Sequence, residues 1–116
     1  MRIYFYEMED GKCPVADFLD SMAAKMQAKI LREIALLEEY GNMLRMPHSE
    51  FLEDGIFQLR AQAEGNVTRV LYFFFQEDKA ILTNGFMKKT QKTPKHEIDL
   101  AAKYREDYLN RQETLQ

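Results

Sequence analysis

The sequence predicts an α+β fold: one small antiparallel sheet carrying two N-terminal helices and a C-terminal helix, in the order β-α-α-β-β-β-α. Three observations point there. Apolar residues recur at helical spacing between Pro14 and Tyr40, the period shortens to that of strands between Ile56 and Phe86, and helical spacing returns after Pro94. With 116 residues, 46% of them hydrophobic and 30% charged, the chain suits a single domain spanning residues 1–116 with one modest core.

The elements follow in order. Residues 2–6 are aromatic and β-branched, a short strand that ends at the acidic Glu7–Lys12 turn. From Pro14, Val15, Phe18, Leu19 and Met22 fall at i, i+3, i+4, i+7, which reads as a first helix. A second carries Met26, Ile30, Ile34 and Leu37 on one stripe, with Leu31 beside it, and Gly41 is its C-terminal stop. Residues 42–54 contain Pro47 and show no period, so a loop is expected. Ile56–Gln62, Val67–Phe75 and Ala80–Phe86 are rich in β-formers. Glu64-Gly65 and Glu77-Asp78 are the tight turns between them, with Gly65 where a two-residue hairpin wants positive φ. Thr93 is the expected N-cap and Pro94 the first turn of a last helix, whose apolar line is Ile98, Ala101, Ala102 and Leu109, with Tyr104 and Tyr108 alongside.

Composition removes several function classes. Cys13 is the only cysteine, so an internal disulfide, a Cys-x-x-Cys site and a thiolate zinc cage are all out. His48 and His96 have no metal-ligand spacing, and no phosphate-cradling glycine loop occurs. No metal or other cofactor is therefore expected. The N-terminus is too short and too acidic for a signal peptide, and the longest apolar run, Val70–Phe75, is far short of a membrane span. A cytoplasmic protein without membrane contact is expected.

The net charge of −3 argues against nucleic acid until its distribution is considered. Between Gly55 and His96 there are seven basic residues against three acidic ones, a net +4 that leaves −7 for the remainder. A basic region is set in an acidic body.

The hairpin turns give that region a geometry. If Glu64-Gly65 is a two-residue turn, Arg60 faces Arg69. If Glu77-Asp78 is another, Arg69 faces Phe86, and all three side chains leave one sheet face in a row. Opposed arginines repel, and neither can shed its proton. A phosphate resolves the conflict through bidentate guanidinium bonds; turning to solvent or to helix carboxylates would resolve it too. The row leads into Lys88-Lys89-Thr90-Gln91-Lys92-Thr93-Pro94-Lys95-His96, which contains no acid and ends at a helix N-terminus, a second feature that favours phosphate. Crowded lysines depress one another's proton affinity, so Lys88, Lys89 or Lys92 is a candidate proton carrier, and His96 is another. Phe86 and Tyr72 are candidates for stacking on bases, and Lys95 for holding the backbone.

Three blocks resemble a known family. Phe51-Leu52-Glu53-Asp54-Gly55-Ile56-Phe57-Gln58-Leu59-Arg60 is similar to the "L-x-x-G-hydrophobic-aromatic-E-L-R" stretch of HigB-type toxins of the phage-derived, Gp49-like kind in the RelE/ParE superfamily. Thr68-Arg69-Val70-Leu71-Tyr72-Phe73 matches the "x-R-V-L-Y-F" strand. Asn84 to Pro94 resembles the "hGF-x-K-K-x-x-K-T-P" signature. The resemblance runs from about residue 2 to residue 110 and places Arg60, Arg69, Lys88, Lys89 and Lys92 on the motif's basic positions. Gln58 stands where the family more usually has glutamate.

The resemblance implies a RelE-like fold and the toxin of a type II toxin–antitoxin system. It implies an endoribonuclease that cuts messenger RNA, on the ribosome or free, and so inhibits translation. A HigA-like helix-turn-helix antitoxin would neutralise it in a toxin–antitoxin heterotetramer, with operator DNA contacted only through the antitoxin. The chemistry expected is metal-free attack of the RNA's own 2′-hydroxyl on the adjacent phosphorus. That reaction needs a proton acceptor, a proton donor and fixed positive charge. Two other classes are compatible with the sequence: a ParE-like protein that poisons DNA gyrase without nuclease activity, and a binding module without catalysis.

Overall fold

A computed structural model describes residues 1–115. Five strands form one sheet in the order β1-β5-β4-β3-β2. They are β1 (Arg2–Phe5), β2 (Ser49–Glu53), β3 (Ile56–Ala63), β4 (Asn66–Phe75) and β5 (Lys79–Met87). Helices α1 (Pro14–Asp20) and α2 (Ala24–Tyr40) cover one face of the sheet, and α3 (Lys95–Leu115) lies on the other.

The α+β class and the element order hold, with two additions. The segment expected to be a loop contains strand β2, which pairs antiparallel with β3 at the sheet edge. The sheet is also not wholly antiparallel, because β1 runs parallel to β5, with Ile3 opposite Ala80. Strand β2 escapes a periodicity reading because it has five residues, starts two after Pro47 and exposes Phe51 at 56%. Little apolar alternation is left to read.

Alternation along β3 and β4 divides the core. Leu59, Val70 and Tyr72 face α1 and α2, where they meet Val15, Leu19, Met26, Ile30 and Leu37. Ile56 and Leu71 face α3 with Phe86, against Ile98 and Ala101. Leu31, placed beside the α2 stripe, is instead 51% exposed. Gly85 sits against α1 so closely that an added Cβ would lie 2.4 Å from the Phe18 ring. No side chain larger than hydrogen fits between them.

The first hairpin has the expected register. Glu64 and Gly65 both take positive φ (50° and 80°), the conformation that matches a two-residue turn to strand twist. Arg60 therefore pairs with Arg69.

The second hairpin reaches its expected pairing by another route. Phe75 pairs with Lys79, so three residues rather than two make the turn, with Gln76 at φ 58°. That alone would slip β5 by one residue and turn Phe86 to the opposite face. A β-bulge at Thr83 restores the register: Tyr72 pairs with Leu82, Leu71 with Asn84 and Arg69 with Phe86. Thr83 anchors the bulge by donating to the Leu71 carbonyl and to Asn84 Oδ1 (3.1 and 2.7 Å).

Helix α3 begins at Lys95, one residue later than expected. Its first carbonyl acceptor is Pro94, which receives the N–H groups of Glu97 and Ile98. Thr93 is no N-cap; its hydroxyl donates to Gln58 Oε1 at 2.6 Å. Among the described residues no helix is long and apolar enough to cross a membrane.

Candidate functional site

The site lies at the end of the sheet where α3 begins, on the α3 face. Strand alternation sends Arg60 and Arg69 out on this face, and a backbone bond from the Lys88 N–H to the Val67 carbonyl (2.8 Å) carries the lysine-rich connector past them. Arg60, Arg69 and Lys88 form one cationic cluster, for two reasons that are local in sequence: the tight turn at Glu64-Gly65 and the Thr83 bulge.

Arg69 is the unusual member. It is 4% exposed, its Nη1 bonds only the carbonyl of neighbouring Thr68 (2.8 Å), and its buried Nε has no partner among the described residues. No carboxylate lies within ion-pair distance of it among those residues. Burial first, then repulsion from Arg60, pushes its proton affinity below the usual guanidinium value, with Glu50 acting weakly in the other sense. Burial also pushes Lys88 below the ordinary lysine value, helped by Arg69 and then Arg60 and opposed by Glu50. An anion placed between these groups would relieve both desolvation and repulsion.

Among the described residues a single carboxylate lies within ion-pair distance of the cluster. Glu50 lies 3.9 Å from Arg60 Nη1 and accepts the side-chain amide of Gln58 at 2.6 Å. Gln58 is 1% exposed and also accepts the Thr93 hydroxyl, so it ties β2 to the far end of the connector. The register pairs Glu50 directly with Gln58 across β2 and β3. A carboxylate is thus delivered to Gln58's side of the cluster by the neighbouring strand. Sequence reading missed Glu50 because it missed β2; no signal short of the strand pairing would have found it.

The remaining expected residues divide. Lys89 flanks a shallow depression with Arg69 and Lys88, and Lys92 lines an adjoining one of about 430 Å³ with Glu50, Gln58 and Lys88. Both lysines are exposed, and the two depressions adjoin at Lys88 and Gln91 to line a groove beside the cluster. Lys95 reaches the same groove but is engaged, 2.9 Å from Glu53 and 3.3 Å from Asp99, which raises its proton affinity. His96 is brought to no part of the cluster; it is exposed and meets Glu97 at 3.4 Å.

Two expectations fail. Tyr72 does not stack on a ligand, because it faces α2: it is 1% exposed, lies against Phe57 and bonds the Ser49 hydroxyl at 2.5 Å. One residue separates it from the functional face, and alternation decides the matter. Phe86 does lie on the correct face, but it packs among Ile56, Leu71 and Ile98 and leaves 9% exposed. It is a core residue beneath the arginines, not a stacking platform.

A second polar pair borders the cluster on its outer side. His48 Nδ1 lies 2.9 and 3.2 Å from the two carboxylate oxygens of Glu33 on α2, and the two residues line a cleft of about 350 Å³ together with Arg60 and Arg69. A larger cleft, about 720 Å³, is elsewhere, among Tyr4, Tyr6, Tyr108 and Arg111. Its arginine is already paired with Asp107 at 2.9 Å. Among the described residues no group of three His, Cys, Asp or Glu is placed to hold a metal ion.

Compared with known proteins, residues 17–106 match the family model described as phage-derived protein Gp49-like (DUF891). No curated protein matches the chain. The matched span takes in both arginines, the connector and the first turns of α3.

Proposed function

The chain belongs to the phage-derived Gp49-like family (DUF891), and we propose from that premise that it is a HigB-type toxin of the RelE/ParE superfamily: an endoribonuclease that cuts messenger RNA without a metal. One observation carries the reading: a guanidinium, Arg69, is held nearly out of water with no carboxylate among the described residues to pair it, directly opposite Arg60 and beside Lys88. A protein bears the cost of desolvating a bare cation where a ligand completes the site, and fixed donors of this kind are what a pentavalent phosphorane needs as its charge grows.

In the proposed reaction Arg60 and Arg69 hold the scissile phosphate. The 2′-oxygen forms a bond to phosphorus as the bond from phosphorus to the 5′-oxygen breaks, giving a 2′,3′-cyclic phosphate and a 5′-hydroxyl. Lys88 accepts the 2′-hydroxyl proton, since its burial beside two arginines favours the neutral amine. Lys89 and Lys92 lie further along the groove and steer the RNA backbone. The proposed antitoxin is a HigA-like helix-turn-helix protein, and the proposed substrate is messenger RNA on the ribosome.

The test is cleavage of free and ribosome-bound RNA with a chelator present. Cyclic-phosphate ends should form, the equivalent DNA should remain intact for want of a 2′-hydroxyl, and Arg69→Ala should lower the rate at least a hundredfold. Full cleavage by Arg69→Ala, or efficient cutting of DNA, overturns the mechanism. Toxicity with intact messenger RNA and an induced DNA-damage response would replace the reading with gyrase poisoning.

A further inference from the structure

Lys88 stands on one flank of the arginine pair, and the opposite flank carries the His48–Glu33 pair. Chain connectivity fixes that placement. The His48 carbonyl accepts the N–H of Arg60 at 2.9 Å, so His48 lies directly outboard of β3. Across the sheet the order is then Lys88 after β5, Arg69 on β4, Arg60 on β3, and His48 beyond. Three strand spacings, roughly 14 Å of backbone, separate the two flanks, and Lys88 stands two residues further along, beside Val67. Side chains of histidine and lysine length can converge from both ends on one phosphate held at the middle.

The pair itself is built for proton transfer. The carboxylate of Glu33 is largely withdrawn from solvent, at 15% exposure, while the imidazole keeps 41%. Nδ1 is anchored on that carboxylate, and Nε2 has no protein partner among the described residues. A carboxylate against Nδ1 holds the Nδ1–H proton and orients the ring, so a proton carried on Nε2 is the one the ring can give. His96 also meets a carboxylate, Glu97 at 3.4 Å, but through Nε2, and it is 79% exposed with no arginine pair beside it.

We infer that His48 is the general acid of the site: its Nε2 protonates the departing 5′-oxygen, and Glu33 positions the ring. This rests on the nuclease reading above. An in-line displacement puts the entering and leaving oxygens on opposite sides of phosphorus, and Lys88 and His48 flank the arginines from opposite sides, with Glu50 also 3.9 Å from Arg60. The proton taken from the 2′-hydroxyl goes to Lys88, the proton on His48 goes to the leaving oxygen, and solvent exchange resets both.

The test compares two short RNAs, one normal and one with sulfur replacing the bridging 5′-oxygen at the cleaved bond, each offered free and in the ribosomal decoding site. A thiolate leaves without protonation. His48→Gln should cleave normal RNA about a hundredfold more slowly and the sulfur-bridged RNA within about threefold of wild type. Glu33→Gln should show a smaller loss, about tenfold, that also vanishes with sulfur. Arg69→Ala should stay defective on both. His48→Asn, which keeps a donor near Glu33, serves if His48→Gln fails to fold. If His48 variants cleave normal RNA at the wild-type rate, or lose as much on the sulfur-bridged RNA, the acid role is overturned while the nuclease reading stands. If the wild type cleaves neither RNA in either setting, the nuclease reading falls and takes the acid role with it.

Discussion

At the scale of single residues, Arg69 shows how a functional group is held against stability. It is buried, repelled by Arg60 and short of one hydrogen-bond partner at Nε. Replacing a buried, uncompensated cation by an apolar side chain of similar length commonly stabilises a protein. Arg69→Met should therefore raise stability by about 1 kcal/mol, about 4 °C in Tm, while removing RNA cleavage. Calorimetry and the cleavage assay on the same sample check both halves. A lower Tm would mean that Arg69 is satisfied by contacts within the fold, and the argument for a bound anion would weaken with it. The same scale separates Arg69 from Tyr72: three positions apart on one strand, they lie on opposite faces, one in the site and one under α2.

At the scale of elements, β2 and the connector are bound into one unit by Gln58. Its amide donates to Glu50 and its carbonyl accepts from Thr93, with both bonds at 2.6 Å. Gln58→Ala should strip the network and leave buried polar atoms unpaired, a loss of about 1–3 kcal/mol. Amide hydrogen exchange should accelerate in residues 88–93 and 49–53, while α1 and α2 stay protected. Uniform acceleration across the whole chain would show a global effect instead. The Thr83 bulge acts at this scale too. It re-aims Asn84 and Phe86 towards α3, where Asn84 bonds the backbone and carboxylate of Glu97 (3.2 and 3.0 Å).

For the whole molecule, sensitivity to alkali should exceed sensitivity to the loss of any one surface ion pair. Burial raises the proton affinity of Tyr6, Tyr72, Tyr104 and Tyr108; Tyr6, which also donates to Asp107, reaches about 12. A tyrosine whose folded value lies above its unfolded value of ~10 is stabilising while neutral in both states, so its contribution is complete below pH ~10. Between pH ~10 and about 12 the unfolded chain ionises first, and that stability is lost. Denaturant midpoints should fall across this window, and Tyr6→Phe should flatten part of the fall. Most surface pairs, such as Arg2–Asp78 at 2.7 Å, are solvent-exposed and should matter little.

The sequence by itself determined the class of fold, the order of the helices and three main strands, and the opposition of Arg60 to Arg69. These follow from periodicity and from one turn, Glu64-Gly65, whose length sets register locally. The Arg69–Phe86 pairing was legible only because two local departures cancel, a three-residue turn and a bulge, and nothing in the sequence announces either. Tertiary structure alone decided the rest. It brought β2 to the sheet edge, set Glu50 beside Gln58, buried Phe86, and placed His48 from one loop and Glu33 from α2 at the flank of the arginines. Such contacts join segments distant in sequence, and their geometry depends on how strands stack and helices dock. Spacing along a chain encodes which face a side chain leaves from; it does not encode what waits there.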